Sequence, residues 1–228
     1  MPEKILESAA LEEIFLDYEL LANQADDLFA KVRAQYPDKV VCHEGCGDCC
    51  HALFDLSLVE AMALNRAFNE TYGIGQARSR ILEQASEADR QLTKMKKQFY
   101  RETKDGAEDN QILLEAARAR IRCPLLDDDD KCSLYHARPI TCRLYGVPTA
   151  IGGKGHVCGL CGFEKGGKYP TVYFDRIQDK LSALSLRIAK VTGSRFRELH
   201  HVFVPVSMAL LTRYDEDYLG IGQPKKEK

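Results

Sequence analysis

Residues 40–52 read VVCHEGCGDCCHA and place four cysteines within nine positions, Cys42, Cys46, Cys49 and Cys50. Four thiols this close do not pair sensibly as disulfides, because the adjacent Cys49 and Cys50 would bond to each other only with strain. The whole chain has nine cysteines, an odd number. In a reducing compartment such spacing favours a bound metal over disulfides. The stretch therefore predicts a thiolate metal site.

Two later segments hold the other five cysteines. The segment CPLLDDDDKCSLYHARPITCRLYG contains Cys123, Cys132 and Cys142, and HVCGLCGF contains Cys158 and Cys161. The C-x2-C spacing of the last pair, followed by glycine, resembles the knuckle of rubredoxins and zinc ribbons, in which backbone N–H groups point at the sulfurs. Thiolates select zinc, copper(I) or iron within a cluster. Nine cysteines suffice for one four-ligand centre, or for two with one thiol left over, and spacing does not assign thiols to centres.

Composition and charge exclude several classes of protein. The 228 residues, 45% of them hydrophobic, can bury a substantial core. The 32 Lys and Arg nearly balance the 34 Asp and Glu, so net charge indicates neither a nucleic acid nor a membrane partner. A protein partner stays open. The start MPEKILESAA is acidic where a signal peptide is basic, and the longest apolar run, VFVPVSMALL, is shorter than the roughly 20 residues of a membrane span. We therefore expect a cytoplasmic protein.

Hydrophobic periodicity predicts a mostly α protein. A second helix is predicted from Ser57 to Gly73, because SLVE at residues 57–60 matches a capping box that pairs Ser57 with Glu60. The first helix is marked by two heptad rows, Leu11, Tyr18, Ala25, Val32 and Ile14, Leu21, Leu28. Further predicted helices cover about Gln76 to Thr103, about Asp109 to Ile121, a stripe of Ile177, Leu181, Leu184, Ile188 and Val191 that stops at Gly193, and about Ser207 to Tyr214.

These elements predict one compact helical domain whose cysteine-bearing loops are stapled by a metal centre. The domain covers residues 1–220: a long N-terminal helix over 1–36, a cysteine-cluster core over 37–165 and C-terminal helices over 166–220. Residues 221–228 are predicted to be a disordered tail. The heptads of the first helix pack either within the chain or against another copy, so the oligomeric state stays open.

The opening stretch also matches C-x3-C-x2-C, the spacing by which radical S-adenosylmethionine enzymes hold three corners of a [4Fe-4S] cluster. The context argues against this class. Such enzymes usually carry an aromatic residue just before the third cysteine, where this chain has Asp48, and no alternating βα pattern follows.

The two main cysteine segments together resemble the bacterial cysteine-cluster family described as a zinc- or iron-chelating domain. That family has a cysteine-rich opening that ends in a CC pair, then C-P, then C-x-I-Y-x-x-R-P-x-x-C-R. Here the first gap is three residues instead of two, Leu134 replaces the isoleucine, and a long helical insertion separates the halves. Cys158 and Cys161 extend the set. The positions that fall on the pattern are Cys42, Cys46, Cys49, Cys50, Cys123, Cys132, Cys142, Arg138, Pro139 and Arg143.

The family is in turn similar to flagellin lysine N-methylases, which are thought to hold a [4Fe-4S] cluster. That similarity implies an iron-sulfur cofactor before zinc, with zinc as the alternative. It does not imply methylation, because the chain has no glycine-rich turn between a strand and a helix to hold S-adenosylmethionine. Two hypotheses follow: a metal-binding module without catalysis, or an iron-sulfur enzyme, which needs an open metal position or a substrate pocket.

Several polar residues near the cysteines are candidate contacts of the centre. Arg138 and Arg143 are predicted either to neutralise a negative thiolate centre or to pair with the acidic residues 127–130. The run DDDD at 127–130 lacks the alternating ligands of a calcium loop and is predicted to be a solvated turn. His43 and His51 are predicted alternatives to a thiol ligand.

Overall fold

The structure is a computed structural model that describes residues 3–104, 115, 119–164 and 166–222. Over these residues the chain is mostly α-helical and its strands are short, which confirms the predicted mostly α fold. None of the described helices is both long and apolar enough to cross a membrane.

The described elements are eight helices, three 3-10 turns and five short strands. The helices are α1 (Glu3–Leu6), α2 (Ala9–Gln35), α3 (Leu58–Thr71), α4 (Gln76–Lys104), α5 (Ile140–Leu144), α6 (Phe174–Val191), α7 (Val206–Leu211) and α8 (Glu216–Leu219). The 3-10 turns are Cys49–His51, Tyr135–Ala137 and Leu199–His201. The strands are β1 (Asp55–Ser57), β2 (Thr149–Ile151), β3 (Lys154–His156), β4 (Val172–Tyr173) and β5 (Phe203–Pro205). Strand β1 pairs antiparallel with β5, and β2 lies between antiparallel β3 and parallel β4.

Helix α2 confirms the predicted long N-terminal helix. It begins after Ser8, whose hydroxyl accepts a hydrogen bond from the Leu11 amide at 3.3 Å. All but one of the heptad positions are buried; the exception is Leu28, which is 39% exposed. A straight α-helix drifts by about 20° per heptad, so the last position of that row turns towards solvent.

Helix α3 lies at the centre of the fold and is buried on two faces. Leu58, Val59 and Met62 join a core built with α2 and α6, whereas Leu64 and Phe68 join a second core built with α4 and α7. The predicted capping box is present. A helix that is apolar on more than one face is typical of a core element, and this one links the two halves of the molecule.

Helix α4 confirms the predicted third helix. The C-terminal end of the predicted fourth helix is wrong. The predicted helix from about Asp109 to Ile121 lies mostly outside the described residues. At its end Arg120 forms a β-bridge with Ala52, and the Ile121 amide donates to the His51 carbonyl at 3.2 Å. These residues are extended because their backbone groups pair with the segment that follows the first cysteines.

The C-terminal predictions are confirmed in part. Helix α6 buries the predicted stripe except Val191 and ends before Gly193, which has φ of +62°. The helix predicted from Ser207 to Tyr214 is too long, since α7 ends at Leu211. The Asn65 side-chain amide donates to the carbonyls of Ala209 at 2.9 Å and Thr212 at 3.0 Å, which satisfies the helix end. Ile221 is buried in the core, and residues 223–228 of the predicted tail lie outside the described residues.

Candidate metal centre

The nine cysteines all lie among the described residues, and all are free thiols. Cys158 is buried and the other eight are half-buried. Their contacts divide them into two sets. We call Cys49, Cys50, Cys123, Cys132 and Cys142 the inner group, because their side chains interact with one another and all five line one hollow. We call Cys42, Cys46, Cys158 and Cys161 the outer group, because several of their chain neighbours are exposed.

Backbone pairing brings the first two inner cysteines to the third. The 3-10 turn Cys49–His51 follows Gly47, whose φ of +67° reverses the chain. The Cys123 amide then donates to the Cys50 carbonyl at 2.6 Å. The segment that contains Cys49 and Cys50 therefore pairs through its backbone with the segment that contains Cys123, which is distant in sequence.

A hairpin places Cys132 next to Cys123. The Ser133 amide donates to the Leu125 carbonyl at 2.7 Å, and Leu126 and Cys132 form a β-bridge. The predicted solvated turn closes this hairpin: the Asp127 carboxylate accepts hydrogen bonds from the amides of Asp129 at 3.0 Å and Lys131 at 2.8 Å.

Helix α5 brings in Cys142, the fifth thiol of the inner group. The buried Glu60 carboxylate accepts hydrogen bonds from the Ile140 amide at 3.2 Å and from the Ser57 hydroxyl at 2.9 Å. Burial raises the pKa of Glu60, although these hydrogen bonds oppose the rise. Arg143 is buried as well; it pairs with Asp26 of α2 and donates to two backbone carbonyls. The position of Cys142 is therefore set by α2 and α3.

The inner thiols form a chain of hydrogen bonds. Hydrogen bonds from Cys142 and Cys50 lower the pKa of Cys49 to about 3, against the effect of burial. The same single proton of Cys50 lies within reach of Cys123, and this contact lowers the pKa of Cys123 as well. The donors Cys50 and Cys142 have their pKa values raised by the same bonds. Two of the five sulfurs are thus favoured as thiolates, the form that binds metals.

Gly146 lies between the two cysteine pairs of the outer group. A Cβ atom at Gly146 would lie 2.4 Å from Cβ of Cys42, and the Cys161 thiol donates to the Gly146 carbonyl at 3.1 Å. Burial raises the pKa of Cys161; the neighbouring Cys158 side chain opposes this rise and the charge of Cys46 adds to it. Burial also raises the pKa of Cys42 to about 11 and of Cys158 to about 12. These four thiols are close neighbours.

Backbone amides point at sulfur in both groups. In the outer group the Leu160 amide donates to Sγ of Cys158 at 3.4 Å, and the Val41 amide lowers the pKa of Cys161. In the inner group the Leu125 amide helps to lower the pKa of Cys123. Burial raises the pKa of Cys132 to about 11, and the Leu134 amide opposes that rise. Three of these donors lie two residues after their cysteine, as in the knuckle that the sequence predicted, and such hydrogen bonds stabilise thiolate ligands.

The predicted polar contacts have mixed outcomes. Arg138 stacks on Tyr135, with 3.9 Å from the guanidinium carbon to the ring centroid, and its charge lowers the pKa of Cys49. It pairs with Asp26 at 3.1 Å and not with the acidic turn. His43 and His51 each place Nδ1 against a backbone carbonyl, of Val41 at 2.8 Å and of Gly47 at 3.1 Å. Neither histidine is brought into contact with a thiol by these bonds.

Asp48 lies between the two groups and was not singled out by the sequence. Its carboxylate accepts a hydrogen bond from the Cys158 thiol at 3.2 Å and pairs with Arg120. Nothing in the spacing of HEGCGDCC distinguishes this aspartate from Glu44, because the contact depends on a loop more than one hundred residues away.

Two hollows adjoin the thiols. One, of about 300 Å³, is lined by seven of the nine cysteines and separates the two groups. The other, of about 420 Å³, is largely apolar and lies between the inner group and α4. Among the described residues no three His, Cys, Asp or Glu side chains already converge as a ready metal site. The thiols pair through hydrogen bonds instead. The candidate ligands nevertheless fit a soft or borderline metal, because they are sulfur atoms that accept hydrogen bonds from backbone N–H groups.

A helical scaffold whose loops gather nine thiols defines a cysteine-cluster metal-binding protein. Comparison with family models gives the same class: residues 41–159, just over half of the chain, match the CxxCxxCC model, described as "Putative zinc- or iron-chelating domain". The chain belongs to this family, as the resemblance of its cysteine segments implied. Cys161 lies beyond the matched residues. No curated protein and no solved structure matches the chain.

Proposed function

We propose that the chain is a metal-binding module that holds an iron-sulfur centre of the [4Fe-4S] type on the inner group. The observation that carries the proposal is the hollow of about 300 Å³, which four inner thiols line on one side and three outer thiols on the other, with Arg138 at its wall. A single zinc ion lies about 2.3 Å from each of four sulfurs, so its ligands close around it and leave no such space. A cluster of several iron and sulfide ions needs the larger volume.

Charge supports a cluster at the same place. A cluster with four thiolate ligands is negative overall, and neighbouring donors and cations tune its potential. The Arg138 side chain lines both hollows and reaches the inner group with its charge, while Asp26 and Tyr135 hold it in position. The Leu125 and Leu134 amides add hydrogen bonds to sulfur. This chain thus supplies both kinds of support that an iron-sulfur centre uses.

The centre would cross-link three separate segments of the chain. When bound, an iron-sulfur cluster supplies one-electron chemistry and a rigid anchor. Four of the five inner thiols would hold it, and they come from the 3-10 turn at Cys49–His51, the hairpin after Cys123 and helix α5. Folding and metal loading would therefore be coupled. Free thiols of this kind persist in a reducing compartment, which supports a cytoplasmic location.

The test is purification of the full chain without oxygen, followed by an absorption spectrum and measurement of iron, acid-labile sulfide and zinc per chain. We expect about four iron and four sulfide per chain, and a broad absorption band from thiolate-to-iron charge transfer. Serine variants of the five inner cysteines sharpen the result: four should lose iron and the fifth should keep it. Colourless protein with zinc alone on the inner group would contradict the proposal.

A second candidate, an iron-sulfur enzyme, is favoured by the apolar hollow of about 420 Å³. It borders all five inner thiols and is lined on one side by Ala88, Leu92, Met95 and Phe99 of α4. Ser207 also lines it; this side chain is 2% exposed and its hydroxyl has no hydrogen-bond partner among the described residues. The charged residues Asp55, Lys96, Arg122 and Arg138 also line this hollow. A largely apolar pocket with a few polar groups is typical of a site for a small organic ligand. The similarity to flagellin methylases, with which no comparison agrees, stays a prediction.

Binding of an apolar fluorescent probe, 1-anilinonaphthalene-8-sulfonate, tests this second candidate. An Ala88→Phe variant fills the hollow and should weaken probe binding at least about tenfold, since the apolar contact area is lost. Ser207→Ala keeps the space and serves as the matched control. Equal binding by all three proteins would show that the hollow is not a ligand site, and would leave the non-catalytic module as the function.

A further inference from the structure

The outer group has the ligand number and spacing of a structural zinc site. Zinc sites of this kind use four ligands, commonly in pairs separated by two to four residues. Cys42 and Cys46 are separated by three residues, and Cys158 and Cys161 by two. The structure brings the two pairs together through Gly146 and through the mutual effects of their thiols. The two cysteine pairs therefore lie in neighbouring loops, with Cys42 and Cys161 on the same glycine.

Backbone bonds hold the two loops of the outer group in register. The Gly162 amide donates to the Lys39 carbonyl at 2.9 Å, and the Lys39 ammonium donates back to the Gly162 carbonyl at 3.0 Å. These bonds lie just before Cys42 and just after Cys161. The Val41 amide also points at Cys161. The loops are thus fixed next to the thiols before any ion binds, which lowers the entropic cost of binding.

The space at the outer group suits one ion and not a cluster. Gly146 has no room for even a methyl group, since the added carbon would overlap Cβ of Cys42 and lie 3.1 Å from its sulfur. Two cations near the outer group are engaged with other partners, since Arg120 pairs with Asp48 and the Lys39 ammonium donates to the Gly162 carbonyl. Arg138 acts on both groups, because its charge lowers the pKa of Cys49 and of Cys42. Cys42, Cys46 and Cys158 line one side of the hollow of about 300 Å³, whereas Cys161 lies outside that lining, against Gly146. A single ion held by these four thiols would form a closed tetrahedral site.

We propose that Cys42, Cys46, Cys158 and Cys161 form a second metal site, separate from the inner group, which binds one zinc ion through four thiolates. Zinc binding displaces a proton from each thiol that is protonated, including the one that Cys158 donates to Asp48 and the one that Cys161 donates to Gly146. The site closes the long loop between the first cysteines and the last pair. It does not depend on which metal the inner group binds.

Zinc analysis of variants tests the assignment. Protein purified in air should contain about one zinc per chain, a value that Cys46→Ser and Cys158→Ser lower at least about tenfold. Gly146→Ala should also lose zinc, because the new Cβ displaces Cys42. Gly159→Ala is the matched control within the last cysteine pair, since a Cβ there meets nothing within 4 Å. This control and His43→Ala should keep their zinc.

The iron content of the same variants separates this proposal from the preceding one. We expect Cys46→Ser, prepared without oxygen, to keep its iron while it loses zinc. Loss of both metals together would overturn the proposal in favour of one shared centre. Zinc that survives both cysteine changes, or that is lost in His43→Ala, would overturn it as well. If the inner group binds no iron, zinc should still follow the outer cysteines.

Thiol alkylation of the unmodified chain keeps the test independent of any variant. Folded protein purified in air is treated with iodoacetamide and mapped by mass spectrometry, with and without prior removal of zinc. The four outer cysteines should be protected at least about tenfold by zinc, since bound thiolates react slowly. Equal labelling in both samples, or protection that extends to Cys123 and Cys132, would contradict a separate outer site.

Discussion

The inner and outer groups are built from the same kind of ligand in different surroundings. Inner thiols come from a 3-10 turn, a hairpin and a short helix that pack against the two cores, and Arg138 faces them. Outer thiols come from two exposed loops, joined at Gly146 and accompanied by Asp48. Cysteine spacing alone does not separate these environments. The two environments differ in the space beside the thiols, in the nearby charges and in the packing of the chain segments.

The largest expected difference between the groups is in stability. Cys142→Ser should lower the free energy of unfolding by about 5 kcal/mol or more, because loss of the inner centre frees α5 and the hairpin at once. Cys46→Ser should loosen only the two outer loops, since most residues directly next to the outer cysteines are exposed while Val40 and Phe163 stay anchored in the core. Urea denaturation measures the first effect. Hydrogen exchange should show new exchange of Cys46→Ser confined to residues 37–47 and 157–164; exchange throughout the chain would remove the distinction.

Glu60 is expected to have the next largest effect, and only on the inner side. Glu60→Gln should cost about 1–3 kcal/mol, because a neutral amide cannot accept all the hydrogen bonds from Ser57 and Ile140. Iron binding should weaken along with stability, while zinc stays bound. Urea denaturation and metal analysis of the variant measure both. Equal weakening of iron and zinc would mean that Glu60 supports the fold in general and not α5 in particular.

Arg138 should change the redox behaviour of the inner centre with little change in stability. Arg138→Gln removes a positive charge that favours the more negative, reduced cluster, so the reduction potential should fall. Arg138→Lys keeps the charge and should restore most of the potential. Spectroelectrochemical titration of the three proteins measures the shift. An unchanged potential in Arg138→Gln would show that the guanidinium only holds Tyr135 and Asp26.

Arg120 lies between the groups and should matter least. Its ion pair with Asp48 is partly exposed, so Arg120→Ala should cost no more than about 1 kcal/mol. Iron and zinc contents should both stay as in the unmodified chain. A loss of either metal, measured per chain, would show that this ion pair couples the two groups.

Local patterns predicted most of the fold but not the partition of the site. Helices α2, α3, α4 and α6 follow from periodicity and from the Ser57 cap, which depend on residues a few positions apart. The division of the thiols depends on contacts across the chain, such as Cys50 with Cys123 and Lys39 with Gly162. The early end of α7 also depends on a contact between distant residues, because the Asn65 side chain of α3 donates hydrogen bonds to carbonyls at that end.

Anomalous X-ray diffraction at the iron and zinc absorption edges is the most direct measurement, from crystals of the full chain grown without oxygen. The proposals predict iron density beside Cys132 and Cys142, and a separate single zinc peak between Cys42 and Cys161. One metal site shared by both groups, or crystals of folded protein with no anomalous density at either group, would contradict them.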